Sequence, residues 1–220
     1  MIRNGGVPLW ERGIALLLLL LLSPLLLLLL AWVKCVSPGP ALFLSERIGK
    51  GGEIFHLFKL RTMVPDAPQV VSIDLRTMVP KNDRRLIPGA SILRKGFDEL
   101  FQLVNIARGE MRFIGPRPDL AWMKSNYLPA VLPRLSVTPG ITGWAQILGS
   151  RNFTTREGYQ LDLWYVAHRT FWLDLLIVAW TPLYIVLGLP VPAGLRERCL
   201  KEMGKVGPLF AGESGEGLVP

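Results

Sequence analysis

The sequence predicts a mostly helical α/β protein in which an N-terminal membrane-embedded helix precedes a compact domain with a small β-hairpin and interfacial amphipathic helices. Three observations carry this prediction: a long apolar run near the start, two strand-like patterns around a glycine-rich turn, and helical periodicity further on. We expect residues 1-36 to be membrane-embedded, residues 37-203 to form the compact domain, and residues 204-220 to be a flexible tail.

The apolar run covers residues 13–33 and is interrupted only by Ser23 and Pro24. About 20 apolar residues suffice to cross a bilayer, so this segment is predicted to be embedded in lipid. A cleaved signal peptide fits less well, because the run is longer than a signal core and no small-residue cleavage site follows it. Proline removes one helical hydrogen bond, so we expect a helix break at Ser23 and Pro24.

The pattern leaves two topologies open for this helix, a full crossing and a re-entrant bend. Basic residues lie on both sides of the run, so the asymmetry typical of a simple crossing is weak. These residues are Arg3, Arg12, Lys34, Arg47 and Lys50. A serine hydroxyl at a bend can donate to a carbonyl that the proline leaves unbonded.

The formal net charge is +8 and the isoelectric point is about 9.9, which favours an anionic partner. Beside a membrane segment, membrane lipids and phosphate-bearing substrates fit this charge, and no nucleic-acid-binding motif is present, so we expect no nucleic-acid partner. Cys35, Cys199, His56 and His168 lack zinc-ligand spacing, and free thiols fit a reducing compartment.

Residues 41–47 and 53–61 read as two strands joined by the glycine-rich turn at 49–52. Lys59 and Arg61 share a face of the second strand, which suits either a solvated surface or a phosphate site. The motif LRTMVP at 60–65 recurs at 75–80, and residues 64–90 are predicted to be an irregular loop.

Residues 97–108 are predicted to form an amphipathic helix. Its apolar face would hold Phe97, Leu100, Phe101 and Val104, and a different face would hold Asp98, Gln102 and Asn105. A carboxylate in the first turn, followed by Arg108, Arg112 and Arg117, is typical of a surface ion pair or of a phosphate site.

The second half of the sequence predicts a series of short helices, strands and turns. Pro116 and Pro118 restrict the backbone on both sides of Arg117, so this turn can aim a guanidinium. A short helix is expected at 119–127, and a turn, a strand and a second turn are expected at 139–146. A capping box from Thr154 to Glu157 would open a helix that contains Asp162, Tyr165 and His168. Interfacial helices are expected at 171–189.

In this order, the motifs resemble the bacterial sugar transferase family of monotopic phosphoglycosyl transferases, over about residues 10–190. Singly each motif is weak, whereas the ordered set is specific. The motifs are Phe58-Lys59-Leu60-Arg61-Thr62-Met63, Leu93-Arg94-Lys95, Asp98-Glu99-Leu100, Gly109-Glu110-Met111, Gly115-Pro116-Arg117-Pro118 and the segment 139–146. The resemblance implies a re-entrant helix broken at Ser23 and Pro24.

The resemblance also implies an activity. Such enzymes move a sugar 1-phosphate from a UDP-sugar to a polyprenyl phosphate, giving a polyprenyl diphosphate sugar and UMP. The reaction uses Mg²⁺ and a covalent enzyme intermediate, and it starts glycoconjugate or exopolysaccharide synthesis. The enzyme would lie at the bacterial inner membrane with its catalytic domain on the cytoplasmic face, and a homodimer is compatible with the sequence.

The implied roles fall on residues that match the motifs. Asp98 would be the nucleophile, Glu99 would help to hold the metal together with Asp98, and Arg117 would clamp phosphate. Further substrate-binding candidates are Lys59, Arg61, Arg94, Arg112, Gln146 and Arg151. The segment from Arg94 to Asp98 is one residue shorter than the family pattern, which leaves the register of Arg94 open.

Two other functions fit parts of the same pattern. A membrane-bound nucleotide-sugar pyrophosphatase would use the same carboxylates and arginines with water as the acceptor. A non-catalytic membrane scaffold would keep the anchor and the basic surface, and Asp98 and Glu99 would then be ordinary first-turn charges.

Overall fold

The computed structural model describes residues 6–65, 67, 83–149, 154–189 and 191–203. Its contacts divide the chain into two units, each described by itself below: unit 1 comprises Met1–Ser45 and His56–Gly109, and unit 2 comprises Glu46–Phe55 and Glu110–Pro220. The predicted mostly helical α/β class is confirmed. The second LRTMVP copy and the expected tail lie outside the described residues.

Unit 1 contains the long N-terminal helix, the larger part of each hairpin strand and three short helical segments. In chain order the elements are α1 (Leu9–Val36), β1 (Leu42–Ile48), β2 (Ile54–Leu60), α2 (Ala90–Leu93), a 3₁₀ helix (Phe97–Gln102) and α3 (Leu103–Arg108). Strands β1 and β2 pair in a two-stranded sheet, as the glycine-rich turn predicts.

By length and composition, α1 is the one helix among the described residues that could cross a membrane. Only 11% of its most apolar 18-residue window is buried inside the protein, which distinguishes it from a core helix. One row of its leucines, including Leu20, Leu21, Leu27 and Leu28, is exposed. The helix therefore has the composition of a membrane anchor.

The predicted helix break at Ser23 and Pro24 is wrong, because α1 runs continuously from Leu9 to Val36 through Pro24. Because proline has no N–H, the carbonyl of Leu20 loses its usual donor four residues later. The hydroxyl of Ser23 donates to that carbonyl at 2.7 Å, as the sequence predicts. The polar pair thus satisfies the backbone inside an otherwise apolar helix.

Both ends of α1 are fastened to unit 1. Near its start, Nε of Arg12 donates to the carbonyl of Ala107 at 2.9 Å. Just beyond its end, the Arg61 guanidinium donates to the carbonyls of Ser37 and Pro38 at 3.0 and 2.6 Å. Between these points the helix contributes to one hydrophobic core, with Leu26, Val33, Ala41, Leu60, Ile87, Ala90, Leu93 and Phe101 buried.

The amphipathic pattern at 97–108 is correct for a helix and only partly correct for the buried face, since Phe101 is buried and Leu100 packs against the core as predicted. Phe97 is 39% exposed, whereas Asp98, Gln102 and Asn105 are buried. The first half is a 3₁₀ helix, whose three residues per turn rotate the side chains away from the α-helical positions. Polar partners in β2, described below, also stabilise the buried polar face.

Unit 2 is built around two short strands and a helical core. Its elements are β3 (Arg112–Ile114), 3₁₀ helices (Ala121–Asn126 and Pro129–Ser136), β4 (Gly140–Thr142), α4 (Trp144–Ile147), α5 (Thr155–His168), α6 (Phe171–Leu187) and α7 (Ala193–Met203). The capping box that the sequence predicts is present, since Thr154 and Glu157 bond reciprocally at the start of α5.

Helix α6 is apolar on both its packed and its exposed sides. Ile177 is buried in the core of unit 2. Phe171 and Trp172 are 72% and 74% exposed, and Leu175, Val178, Ile185 and Leu187 are exposed as well. Asp174 accepts a hydrogen bond from Tyr165 at 2.6 Å. The helix therefore presents an apolar surface and keeps its single carboxylate paired.

Candidate functional site

The acidic pair opens the 3₁₀ helix Phe97–Gln102 in unit 1. Asp98 is 2% exposed, and its Oδ2 lies 2.9 Å from Nζ of Lys59 on β2. An ammonium at this distance bonds one oxygen of the carboxylate and orients it. Two residues that the sequence singles out separately are thus brought into contact.

Asn105 bonds β2, which carries Lys59, to the helical region that carries Asp98. The residue is fully buried on α3, its Oδ1 accepts from the Phe58 amide at 3.0 Å, and its Nδ2 donates to the His56 carbonyl at 2.7 Å. The side-chain amide therefore bonds β2 much as a neighbouring strand would. Because Lys59 follows Phe58, this bond fixes Lys59 relative to the helical segments that carry Asp98 and Asn105.

The remaining unit 1 candidates occupy different surroundings. Arg61 is buried, and both of its terminal nitrogens bond carbonyls after α1, so it holds backbone in this structure. Arg94 follows α2 and is half-buried, as is Glu99. Next to the acidic pair, Gln102 is buried, and its Nε2 has no hydrogen-bond partner among the described residues.

The acidic pair suits one kind of metal site. Within the described ranges, no three side chains of His, Cys, Asp and Glu are grouped to hold a metal ion. Mg²⁺ commonly takes one or two carboxylates and completes its shell with water and substrate phosphates. Asp98 and Glu99 fit such a site, and they do not fit one made by the protein alone.

In unit 2, the turn Gly115–Pro118 is held by its backbone. Consecutive carbonyls from Pro116 to Asp119 each accept a hydrogen bond. Their donors are the Gly140 amide (3.0 Å), the Arg134 guanidinium, Nη1 of Arg47 (3.2 Å) and the Ile48 amide (2.9 Å). The Arg117 side chain, in contrast, is exposed. A fixed backbone with an exposed guanidinium is suited to anion recognition.

The same turn packs closely against β4 at glycine positions. Strands β3 and β4 pair in parallel, with Arg112 opposite Gly140 and Ile114 opposite Thr142. The Gly115 amide donates to the Thr142 carbonyl at 2.9 Å. A Cβ on Gly140 would meet the Gly115 amide nitrogen and lie 2.7 Å from the Thr142 carbonyl oxygen. The turn at 115–118 and the segment at 139–146 are therefore bonded directly to each other.

A buried polar network lies behind the turn. Arg134 is 5% exposed; its Nε donates to Asp162 at 2.8 Å and its Nη1 donates to Asp119 at 2.6 Å. Nη2 of Arg134 donates to the Arg117 carbonyl. Asp119 also accepts from the hydroxyls of Tyr127 and Tyr159, and the Tyr159 ring lies 4.7 Å from the guanidinium carbon.

Burial raises the pKa of several groups in this network. Burial raises the pKa of Asp162 to about 6, although the neighbouring Arg134 acts in the opposite direction. Burial and the Asp119 carboxylate raise the pKa of both Tyr127 and Tyr159, so these hydroxyls remain donors at neutral pH. At neutral pH the network is therefore held by one guanidinium and two protonated phenols.

The other unit 2 candidates are placed as follows. Gln146 is half-buried on α4, with its Nε2 donating to the Ile141 carbonyl at 3.3 Å. Arg112 is half-buried at the start of β3, and Arg151 lies outside the described residues. His168 contacts Glu202 at 3.0 Å and stacks on Trp164, which is a surface arrangement.

Sequence reasoning missed the structural part of this site. Asn105 and Gln102 were assigned to a polar face with no role, and Arg134 and Tyr159 were not singled out at all. The partners of Arg134 come from two separate stretches of chain, residues 117–119 and 159–162, and no local spacing links them to Arg134. An arginine near aspartates is too common a pattern to identify such a network.

Comparison with known proteins agrees with the arrangement of these motifs. The sequence profile described as Bacterial sugar transferase matches residues 8–188. The chain therefore belongs to the bacterial sugar transferase family.

Several curated relatives share this region. The chain is 37% identical over 163 residues to the UDP-glucose:undecaprenyl-phosphate glucose-1-phosphate transferase of Xanthomonas campestris pv. campestris, which covers 70% of this chain and 33% of the relative. It is 34% identical over 163 residues to the UDP-N-acetylgalactosamine-undecaprenyl-phosphate N-acetylgalactosaminephosphotransferase of Aeromonas hydrophila, covering 71% and 38%. It is 35% identical over 153 residues to the uncharacterized sugar transferase EpsL of Bacillus subtilis (strain 168), covering 69% and 73%.

The chain thus spans about a third of the length of the first two relatives and about three quarters of the third. The shared region is the one that contains the acidic pair and the arginine turn.

Proposed function

We propose that this chain transfers a sugar 1-phosphate from a UDP-sugar to undecaprenyl phosphate or a similar polyprenyl phosphate. The products are a polyprenyl diphosphate sugar and UMP. The observation that carries the proposal is the buried Asp98 paired with Lys59 in a chain of the bacterial sugar transferase family. The names of two relatives describe the same kind of transfer to undecaprenyl phosphate.

In the first step, an oxygen of Asp98 attacks the phosphorus that carries the sugar. The bond from this phosphorus to the bridging oxygen breaks, and UMP leaves with the electron pair. An acyl phosphate between Asp98 and the sugar phosphate remains. Lys59 holds the carboxylate, and an ammonium with three donors can also contact the incoming phosphate. Arg117 binds a phosphate of the donor with its exposed guanidinium.

In the second step, a phosphate oxygen of the polyprenyl phosphate attacks the same phosphorus. The acyl phosphate bond breaks, which regenerates the Asp98 carboxylate and releases the lipid-linked product. Mg²⁺, held by Asp98 and Glu99 together with substrate phosphates, would neutralise phosphate charge. Burial of Asp98 keeps water from the acyl phosphate, so an incoming lipid phosphate is the favoured acceptor.

We further propose that α1 is re-entrant and that both of its ends lie on the cytoplasmic face of the inner membrane. Arg12 near its start and Ser37 after its end both bond the same unit, and Pro24 with Ser23 supplies the position for a bend. A helix that crossed the bilayer would separate its ends by about 30 Å across the lipid. The exposed apolar face of α6 would lie in the membrane interface.

A UMP-release assay tests the proposed reaction. Full-length protein in detergent or nanodiscs is supplied with Mg²⁺ and a panel of UDP-sugars, with and without undecaprenyl phosphate. We expect sustained UMP release only when the lipid phosphate is present, and a lipid-linked sugar as product. Sustained release without lipid would favour the pyrophosphatase alternative, and no release in any condition would favour the scaffold alternative.

A cysteine-labelling experiment tests the topology. A cysteine introduced at Asn4 in a Cys35→Ser, Cys199→Ser background is treated in intact spheroplasts with an impermeant thiol reagent and again after permeabilisation. We expect labelling only after permeabilisation, because both ends of α1 would face the cytoplasm. Labelling of intact spheroplasts would contradict re-entry and support a crossing helix.

A further inference from the structure

Arg134 is the residue through which unit 2 fixes the orientation of the Arg117 peptide. Arg117 lies between two prolines, and neither Pro116 nor Pro118 has an N–H through which the turn could be held. The turn is held by the Gly115 amide, which donates to the Thr142 carbonyl, and by its carbonyl oxygens. Three of the four bonded carbonyls accept from donors in strands or at the hairpin, and the Arg117 carbonyl accepts from the buried guanidinium of Arg134.

The guanidinium has the geometry for this role. Its three nitrogens donate in three directions, to Asp162 on α5, to Asp119 after the turn, and to the Arg117 carbonyl. The planar fork of arginine can bond all three acceptors at once, which the single ammonium of lysine cannot do with the same directions. Tyr159 packs against the guanidinium and donates to Asp119, so the fork is held on a further side.

Stability alone is a weak reason for such a network. Burying a guanidinium with two carboxylates carries a desolvation cost that often cancels the attraction between the charges. A buried polar network nevertheless restricts the arrangement of its members. Here the restricted member is the backbone of an exposed arginine, and Arg117 and Arg134 also line one small cavity with Gly49 at the hairpin.

We propose that Arg134 is a positioning residue that acts through Arg117, by holding its peptide so that the exposed guanidinium binds the diphosphate of the nucleotide substrate. This inference rests on the proposed role of Arg117 as a phosphate contact. It assigns to Arg134 no contact with substrate.

A double-mutant cycle with UDP as the probe tests the inference on the full-length protein. The variants are Arg117→Ala, Arg134→Lys and the double variant, and the readouts are the Kd for UDP and, where turnover is present, kcat/KM for the UDP-sugar. We expect Arg134→Lys alone to weaken UDP binding about 10-fold or more, since small misplacements of a binding group are costly. In the Arg117→Ala background the same change should cost less than about 2-fold.

Three outcomes would overturn the inference. They are equal effects of Arg134→Lys in both backgrounds, unchanged UDP affinity in Arg134→Lys, and unchanged affinity in Arg117→Ala. Because the binding readout needs no turnover, absence of transferase activity would count against the proposed reaction and not against this role. Ser136→Ala, in the same 3₁₀ helix and exposed, is the matched control and should bind UDP like the wild type.

A second variant covers the case in which Arg134→Lys does not fold. Tyr159→Phe keeps the ring against the guanidinium and removes one donor to Asp119. We expect a loss of UDP affinity of a few fold, absent in the Arg117→Ala background. Wild-type affinity in the single variant Tyr159→Phe would count against the network as a positioning device.

Discussion

Replacement of Asp98 by asparagine is expected to abolish sugar-phosphate transfer, with a fall in kcat of at least about 10³-fold. The amide is nearly isosteric with the carboxylate, but it lacks the anionic oxygen that would attack phosphorus. It also leaves Lys59 without its carboxylate partner. The measurement is UMP release with a UDP-sugar, Mg²⁺ and undecaprenyl phosphate, together with mass spectrometry for a phosphosugar adduct on the protein.

In the wild type the adduct should form when the lipid acceptor is withheld, and it should be missing from Asp98→Asn. Glu202→Gln is a suitable control, since Glu202 is exposed, contacts His168 and Trp164, and should leave turnover near the wild-type level when replaced. Full activity of Asp98→Asn would remove this residue as the nucleophile. An adduct on another residue would redirect the assignment to that residue.

Gly140→Ala is expected to destabilise unit 2 by several kcal/mol. The new methyl group would meet backbone of both Gly115 and Thr142, and backbone moves less readily than the end of a side chain. Relief of this contact would separate β3 from β4 and disturb the turn that carries Arg117. A loss of about 3 kcal/mol lowers the Tm of a chain of this size by roughly 10 °C, which thermal unfolding of the purified protein can measure.

Gly158→Ala is the matched control for this substitution. Gly158 lies inside α5, and nothing lies within 4 Å of the position that its Cβ would take. Alanine is favoured over glycine in a helix by roughly 0.5–1 kcal/mol, so the Tm should rise slightly. If the two variants unfold at the same temperature, close contact between the strands is not what holds this region together.

Local patterns predicted most of the fold. The turn at 49–52 predicted the hairpin, the pair Thr154 and Glu157 predicted the start of α5, and the leucine run predicted α1. Each of these signals lies within a few residues of chain, where capping, turn geometry and apolar length act directly. Ser23 was also predicted correctly, because the carbonyl that Pro24 leaves unbonded is only three residues away.

Contacts between residues far apart in the chain determine the features that the local sequence pattern does not predict. Helical periodicity predicts that Phe97 is buried and Asn105 is not, yet the opposite holds. The side-chain amide of Asn105 replaces a strand partner for β2, and no sequence rule registers that possibility. The position of Lys59 beside Asp98 and the network around Arg134 likewise depend on contacts between residues far apart in the chain.

The attachment of α1 at both ends has a consequence for biogenesis. Leu26 and Val33 belong to the same hydrophobic core as Leu60 and Phe101, so unit 1 cannot complete its core until this helix is in place. If α1 is embedded in lipid as proposed, unit 1 completes its core only at the membrane. The bilayer would then be part of the environment in which unit 1 folds, and not merely the place to which a finished domain is tethered.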